Sequence, residues 1–192
     1  RLLFALAIMT LGSVGMYVVV VVLPVVQAEF GITRADASLP YTVLMLGFGI
    51  ASRLISGLIC DRIGGLRTLL LGSCLQGVAL LLFIPFDGLI SLYVISAMFG
   101  LFQGGIVPSY AIIVREYFPA AEAGARVGSV LTATLFGMAL GGWMSGEIYD
   151  WTGSYTMAFL NGVAWNVLNL GIALWILYVR RPHSPSLSPA TA

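Results

Sequence analysis

The sequence predicts an all-α membrane protein with six transmembrane helices, and three observations support this. Hydrophobic residues make up 59% of the 192 positions and charged residues only 9%. Soluble domains carry about 25% charged residues, so this chain cannot cover itself with polar side chains in water. The mean hydropathy of +1.01 agrees. Six apolar stretches are each long enough for the roughly 20 helical residues that a hydrocarbon core requires.

The six predicted spans form one transmembrane domain over residues 1–181. Helix is preferred to strand even in the valine-rich run 18–22, because a lone strand leaves backbone polar groups unsatisfied in lipid. The tail 182–192, rich in Ser, Pro and Ala, has no apolar period and is predicted to be disordered. The predicted spans are residues 2–26, 39–59, 68–85, 89–114, 127–148 and 156–179.

The distribution of arginine sets the predicted orientation, since all nine basic residues are arginine. One side of the membrane, where Asp87 and residues 150–155 are predicted to lie, has only Arg34. Cytoplasmic segments carry an excess of basic residues, so both termini are predicted to be cytoplasmic. The seven arginines of the cytoplasmic side are Arg1, Arg62, Arg67, Arg115, Arg126, Arg180 and Arg181.

Composition and motif content also exclude several classes of function. The net charge of +1 says nothing about nucleic acid, but the sequence has no basic patch with interleaved aromatic residues, so no nucleic-acid partner is expected. Cys60 and Cys74 have neither metal-ligand spacing nor a disulfide pattern. The sequence holds no Ser/His/Asp set, no phosphate-binding glycine loop and no intramembrane carboxylate pair. It therefore predicts a protein that is not an enzyme and has no cofactor or metal.

A short charged loop between the second and third spans carries the most informative motif. A generic basic turn would explain the charges alone. The spacing of glycines, acid and bases, however, resembles the signature loop of the major facilitator superfamily, although Leu66 stands where that family usually has Arg or Lys. The pattern G-x-x-x-D-R-x-G-G-x-R is formed by Gly57, Asp61, Arg62, Gly64, Gly65 and Arg67.

The resemblance implies a gating role for this loop. In the family, the acid and bases of the loop form an interhelical charge network that breaks when the cytoplasmic side opens. The predicted partners, on the next cytoplasmic loop, are Arg115, Glu116, Glu122 and Arg126. The alternative is an exposed charged loop that only sets the topology.

A weak internal repeat agrees with the resemblance. The pattern G-x-x-x-D-x-x-G occurs at 57–64 and again at 146–153. Each copy lies between the second and third helix of a three-helix unit, on opposite sides of the membrane. A 3+3 repeat of inverted topology produces this placement. The fold prediction is therefore one six-helix half of a facilitator, which normally has two halves.

Two resemblances within the chain meet near residues 46–50. Residues 51–181 resemble the second half of bacterial facilitators of the monocarboxylate or oxalate–formate type, through the segments 102–110 and 137–146. Residues 27–41 instead resemble the opening helices of a first half. The resemblance implies a multi-pass protein of the bacterial inner membrane, with a first-half opening joined to a second-half remainder.

Arg53 is the predicted substrate-binding cation. It lies about 9 Å inside the end of the second span by the helix rise, and an ionisable group at depth indicates function. In the monocarboxylate transporters that this stretch resembles, an arginine four residues before a glycine binds the substrate carboxylate, as Arg53 precedes Gly57. Gly49 stands where those proteins have a proton-carrying aspartate, which leaves H+ or another coupling ion open as a partner. An arginine extending to the cytoplasmic interface is the alternative.

Four further side chains are candidates for substrate contact. In the fourth span, Gln103 and Tyr110 lie beside a glycine and proline row at 100, 104 and 108, which predicts a kinked helix that lines a cavity. In the sixth, the amides of Asn161 and Asn166 need partners in lipid. Small-residue packing is the alternative in the fourth span and interhelical hydrogen bonding in the sixth.

Small residues in the fifth span predict a close contact between helices. One row with a four-residue spacing contains Gly137, Gly141 and Ser145, and a neighbouring row contains Gly142 and Gly146. Small residues at this spacing let two helix backbones approach closely in a membrane.

These features together predict a secondary transporter of a small organic anion, a monocarboxylate or dicarboxylate, that works by alternating access. One half would expose a cavity face bearing Arg53 and the amides, so we expect two copies to form a homodimer that imitates the two halves. The alternative hypothesis is a non-transporting deletion remnant or fragment, or a membrane partner of a larger transporter.

Overall fold

The chain folds into a bundle of helices, which the computed structural model describes over residues 2–50, 54–86, 88–117 and 122–179. Every regular element in these ranges is helical, which confirms the all-α fold class. In chain order the elements are α1 (Leu2–Ser13), a 3-10 turn (Val14–Tyr17), α2 (Val18–Phe30), α3 (Arg34–Ile50), α4 (Ser56–Ile63), α5 (Gly65–Leu82), α6 (Leu89–Gly104), α7 (Ile106–Tyr117), α8 (Ala123–Thr152) and α9 (Tyr155–Val179).

Four helices of the described ranges are long and apolar enough to cross a membrane: Leu3–Phe30, Gly65–Leu82, Gly124–Thr152 and Tyr155–Val179. The first of these runs through the 3-10 turn. The predicted span 89–114 divides between two shorter helices, α6 and α7. Of the predicted span 39–59, residues 39–50 belong to α3 and residues 56–59 to α4, while 51–53 lie outside the described residues. The six-span arrangement and the cytoplasmic tail, which lies outside the described residues, stay predictions.

Proline accounts for two features of the helices. Pro108 has no N–H to donate to the carbonyl of Gly104, and α6 ends at Gly104. Pro40 likewise leaves the carbonyl of Asp36 without its intrahelical donor in α3. The hydroxyl of Tyr93 donates to that oxygen at 3.3 Å. A side chain of α6 therefore replaces the missing backbone bond and ties α6 to α3.

The α8 helix packs against α1 and the 3-10 turn at the level of backbone contact. A Cβ added at Gly137 would collide with the carbonyl of Thr10, and one at Gly141 would collide with that of Val14. This confirms the predicted close contact for the first small-residue row. The second row is not in such contact along its whole length, because an added Cβ at Gly146 would meet no atom within 4 Å.

A second contact of the same kind joins α3 and α6. An added Cβ at Gly100 would collide with the carbonyl of Leu44, and one at Gly47 would lie 2.8 Å from the carbonyl oxygen of Ala97. Glycine is required on both helices because each faces the backbone of the other.

The interior of the bundle contains two apolar clusters. Along α5, along α9 and from α1 into α2, the buried residues pass from one cluster to the other through a stretch of polar and glycine positions. The bundle therefore has a polar layer between two apolar halves. Met9, Leu69 and Ala173 belong to the first cluster, and Leu80, Phe99 and Phe159 to the second.

Candidate functional site

Buried polar side chains of three helices meet in the interior of the bundle, in a group that we call the central polar layer. It lies between α1, α5, α7 and α9, and we define it by Gly12, Ser73, Gln76, Tyr110, Asn166 and Asn169. Each of the five side chains is at most 3% exposed. Burial of a polar group without a hydrogen bond costs a few kcal/mol. The hydrogen bonds of these side chains therefore matter for the stability of the bundle.

Hydrogen bonds in this layer join three helices. The amide of Asn166 on α9 donates to Oε1 of Gln76 on α5 at 3.2 Å. The amide of Gln76 in turn reaches the carbonyl of Gly12 on α1 at 3.5 Å. Asn169 donates to the hydroxyl of Ser73 at 3.1 Å. The layer therefore links α1, α5 and α9 through their interior faces.

Glycines make room for these amides. A Cβ at Gly77 would lie 2.7 Å from Oδ1 of Asn166. A Cβ at Gly12 would lie 2.8 Å from the hydroxyl of Tyr110 and 3.2 Å from Nδ2 of Asn169. Both glycines are needed so that a polar side chain of the neighbouring helix can reach the layer.

Several polar atoms have no hydrogen-bond partner among the described residues. They include the hydroxyl of Tyr110 and Oδ1 of Asn169 within the layer, and Oε1 of Gln103 and Nδ2 of Asn161 outside it. Buried waters commonly satisfy such groups in proteins. These atoms give the interior a capacity for further hydrogen bonds.

The five predicted substrate-binding residues therefore have different positions. Tyr110 and Asn166 come together in the polar layer, Gln103 is buried on α6, and Asn161 is half-buried on α9. Arg53 lies outside the described residues. The expectation of an open face bearing the amides is wrong for Gln103 and Asn166, because both side chains are inside the bundle and Asn166 is bonded to another helix.

Ser73, Gln76 and the carbonyl of Gly12 were not predicted from the sequence. A signal exists, since Ser73 and Gln76 are three residues apart and therefore on one face of an otherwise apolar helix. Within the described ranges, no group of three or more His, Cys, Asp and Glu side chains is placed to hold a metal ion.

The predicted gating loop is a tight connection between α4 and α5. Gly64 has φ +84° and ψ 161°, a backbone conformation that is essentially restricted to glycine. Gly65 packs against α7, where a Cβ would lie 3.1 Å from both the N of Ile113 and the O of Ser109. The two glycines of the motif therefore have different functions, one in the turn and one in packing.

The charges of this loop point outward. Asp61, Arg62 and Arg67 are exposed, and they make no ion pair with any side chain that the structure describes. Glu122 and Arg126, two of the predicted partners, pair with each other one turn apart at the start of α8. The side chains of Arg115 and Glu116 lie outside the described part of the chain. The interhelical charge network stays a prediction.

An apolar groove of about 270 Å³ lies beside this loop, between α4, α5 and α6. Its lining residues include Ile55 just before α4, Ser56 and Ile59 of α4, Thr68, Leu71 and Leu75 of α5, and the segment 101–105 in part. It shares no lining residue with the polar layer.

The family model of the Major Facilitator Superfamily matches residues 3–192. The chain is also similar to a curated protein, the hexuronate transporter of Bacillus subtilis (strain 168), with 24% identity over 176 aligned residues. That alignment covers 88% of this chain and 39% of the relative. The chain thus spans about two fifths of the length of the curated relative it matches.

Proposed function

The chain belongs to the major facilitator superfamily, and on this premise we propose that it acts in the secondary transport of a small organic anion across a membrane. The observation that supports this most strongly is the family match over nearly the whole chain. Membership in a transporter family agrees with the prediction that the chain is not an enzyme, and the apolar helices make it a multi-pass membrane protein.

The proposed substrate class is a carboxylate. The relative is named for hexuronate, a sugar acid with one carboxylate and several hydroxyl groups. The sequence separately predicts that Arg53 binds a monocarboxylate or dicarboxylate, since a guanidinium can bind a carboxylate through two parallel hydrogen bonds. Tyr110, Gln103, Asn161 and Asn166 are proposed as polar groups near the pathway. For Asn166, the bond to Gln76 favours the interhelical alternative.

We propose the 3+3 inverted arrangement for the six predicted spans. In such a repeat, the first helix corresponds to the fourth and the second to the fifth. The contact of α8 with α1 then corresponds to the contact of α3 with α6, and both are made at glycines that face a carbonyl. The two copies of the motif also end alike, since Gly64 and Gly153 both have positive φ and both donate to a carbonyl four residues earlier.

Alternating access requires a second six-helix unit, and we propose that a second copy of the chain supplies it. Many apolar side chains remain exposed on the described helices, among them Leu135, Phe136 and Trp143 on α8 at 65%, 69% and 64%. A second copy facing this side could enclose a pathway at the twofold axis. A larger transporter that the chain accompanies is the alternative, together with a remnant that does not transport.

Reconstitution in liposomes tests the function. The purified chain should take up labelled hexuronate or a small monocarboxylate along an imposed gradient. Arg53→Ala should reduce uptake at least 100-fold because the carboxylate loses its cation, while Arg34→Ala, the matched exposed arginine, should retain it. Normal uptake by the Arg53→Ala protein would exclude the binding role.

The mass of the chain in nanodiscs, measured by native mass spectrometry, separates the two hypotheses. A dimer is the expected result. A monomer without uptake would favour the remnant or the partner of a larger protein, since one six-helix unit cannot enclose a pathway.

A further inference from the structure

We propose that the groove between α4, α5 and α6 binds an anionic phospholipid, with an acyl chain in the groove and the phosphate on Arg62 and Arg67. Binding of a lipid at this site does not depend on transport. Three properties of the groove support it: its apolar lining, its position in a membrane protein, and the placement of the two arginines.

The lining indicates what the groove accepts. Its described side chains are aliphatic and aromatic apart from Ser56 and Thr68, and the hydroxyl of Thr68 already donates to the carbonyl of Gly64 at 2.9 Å. On α5 the groove extends from Thr68 to Leu75, about 10 Å by the helix rise. At about 270 Å³ it is smaller than most sites for drug-sized ligands. An apolar groove of this length can hold part of an acyl chain.

The two arginines, Arg62 and Arg67, lie at one end of this groove. Arg67 precedes the lining residue Leu71 by four positions on α5, and Arg62 follows the lining residue Ile59 by three on α4. Residues three or four apart lie on the same face of a helix, one turn from each other. Arg62 is therefore one turn beyond the groove on α4, and Arg67, next to the lining residue Thr68, stands at the same end of the groove on α5.

The charges at this end are available to a lipid. Both arginines are exposed, and among the described side chains neither forms an ion pair. Asp61 opposes them, but the loop keeps one net positive charge. In a membrane the acyl chain gains little by leaving other lipid tails, so the headgroup must provide the selectivity. Each arginine near an anionic surface is expected to favour an anionic lipid about fivefold.

The test measures which lipids the purified full chain retains. The protein is placed in nanodiscs with equal amounts of phosphatidylglycerol and phosphatidylcholine of identical acyl chains, and the lipids bound after release are counted by native mass spectrometry. The wild type should retain about tenfold more phosphatidylglycerol, because Asp61 offsets part of the effect of the two arginines. Equal retention of the two lipids would overturn the proposal.

Two variants and their controls locate the headgroup. The double change Arg62→Gln and Arg67→Gln should bring the ratio close to one. Arg62→Lys with Arg67→Lys should keep the preference, as should Arg34→Gln on the opposite loop. An unchanged ratio in the double Gln variant would overturn the headgroup site. The arginines are exposed, so elution as a single species in detergent is expected for every variant.

A change within the groove locates the acyl chain. Leu71 is 45% exposed and lines the groove, so Leu71→Trp should fill it and lower lipid retention at least threefold. Val78 is 51% exposed on the same helix but outside the groove, and Val78→Trp should have no effect. Equal retention by the Leu71→Trp protein, or displacement of the lipid by millimolar glycerol phosphate, would show that a phosphate alone is bound and would overturn the acyl-chain site.

Discussion

At the scale of single residues, the buried amides show how a membrane-embedded interior satisfies polar groups. Gln76 both accepts from Asn166 and donates toward the carbonyl of Gly12, so one side chain serves two other helices. Interhelical hydrogen bonds of this kind contribute about 0.6–2 kcal/mol each in membranes. Removing one partner leaves the other atom buried and unpaired, which is more costly than the loss of the bond alone.

A double-mutant cycle on Gln76 and Asn166 measures this bond. Asn166→Ala and Gln76→Ala should each destabilise the fold by about 1–3 kcal/mol, because each leaves a buried amide without its partner. The double variant should be less destabilised than the sum by about 0.6–2 kcal/mol. Reversible unfolding in detergent provides the free energies. Additive effects would show that the two amides are not coupled in the folded protein.

Gly64 provides the second prediction at this scale. Its φ of +84° and ψ of 161° are strained for any residue with a side chain, so Gly64→Ala should destabilise the loop by about 1–3 kcal/mol. The matched control is Gly57→Ala, at a helical glycine of the same motif where an added Cβ meets no atom within 4 Å. A helical Gly→Ala change should stabilise by about 0.5–1 kcal/mol. Thermal melting of the two variants in one detergent distinguishes these signs.

At the scale of the helices, glycine decides which pairs pack most closely. The pair of α8 with α1 and the pair of α3 with α6 both use glycine against a carbonyl of the partner helix. Dispersion and weak polar contacts stabilise helix pairs in lipid, because lipid tails are as apolar as the side chains and no hydrophobic effect drives the helices together. The glycine contacts therefore stabilise the bundle through close backbone packing, which larger apolar side chains at the same positions would prevent.

Gly141→Ala tests the contact between α8 and the 3-10 turn. The new methyl group would overlap the carbonyl of Val14, and relieving the overlap requires the helices to separate. The expected destabilisation is about 1–3 kcal/mol, as for other overpacked interiors. Gly146→Ala, on the same helix with nothing within 4 Å, should not destabilise. Equal melting temperatures for the two variants would contradict the observed packing.

At the scale of the whole molecule, the proposed inverted repeat predicts on which side of the membrane each loop lies. The motif loop at Gly64 and the related loop at Gly153 should face opposite sides of the membrane, since each ends the middle helix of one three-helix unit. The excess of arginine near the first loop predicts that this loop lies in the cytoplasm. The two termini should then lie on the same side as Gly64.

Cysteine labelling tests this topology in cells. In a background where Cys60 and Cys74 are replaced, Ser154→Cys should react with a membrane-impermeant maleimide added outside, because Ser154 follows the outer loop. Arg62→Cys, exposed beside the inner loop, should react only after the cells are opened. Labelling of both positions from outside would contradict the inverted arrangement.

The sequence by itself determined the class of this protein. Long apolar stretches and a charged fraction of 9% are sufficient for a helical membrane protein, because the bilayer requires every backbone polar group to bond within its own segment. The spacing of the motif between Gly57 and Arg67 identified the family, and it also marked Gly64. These features are local, so they can be recognised along the chain without knowledge of the fold.

Only the tertiary structure decided how the interior is paired. Gly12 and Gln76 are 64 residues apart, and Gln76 and Asn166 are 90 apart. Periodicity shows that an amide lies on one face of a helix, but it does not show which helix meets that face. The same holds for the carbonyl of Val14 opposite Gly141 and for the groove beside Arg62 and Arg67. Each depends on the packing of helices that are distant in the sequence. A buried polar atom forms its hydrogen bond with a group that this packing brings within hydrogen-bonding distance.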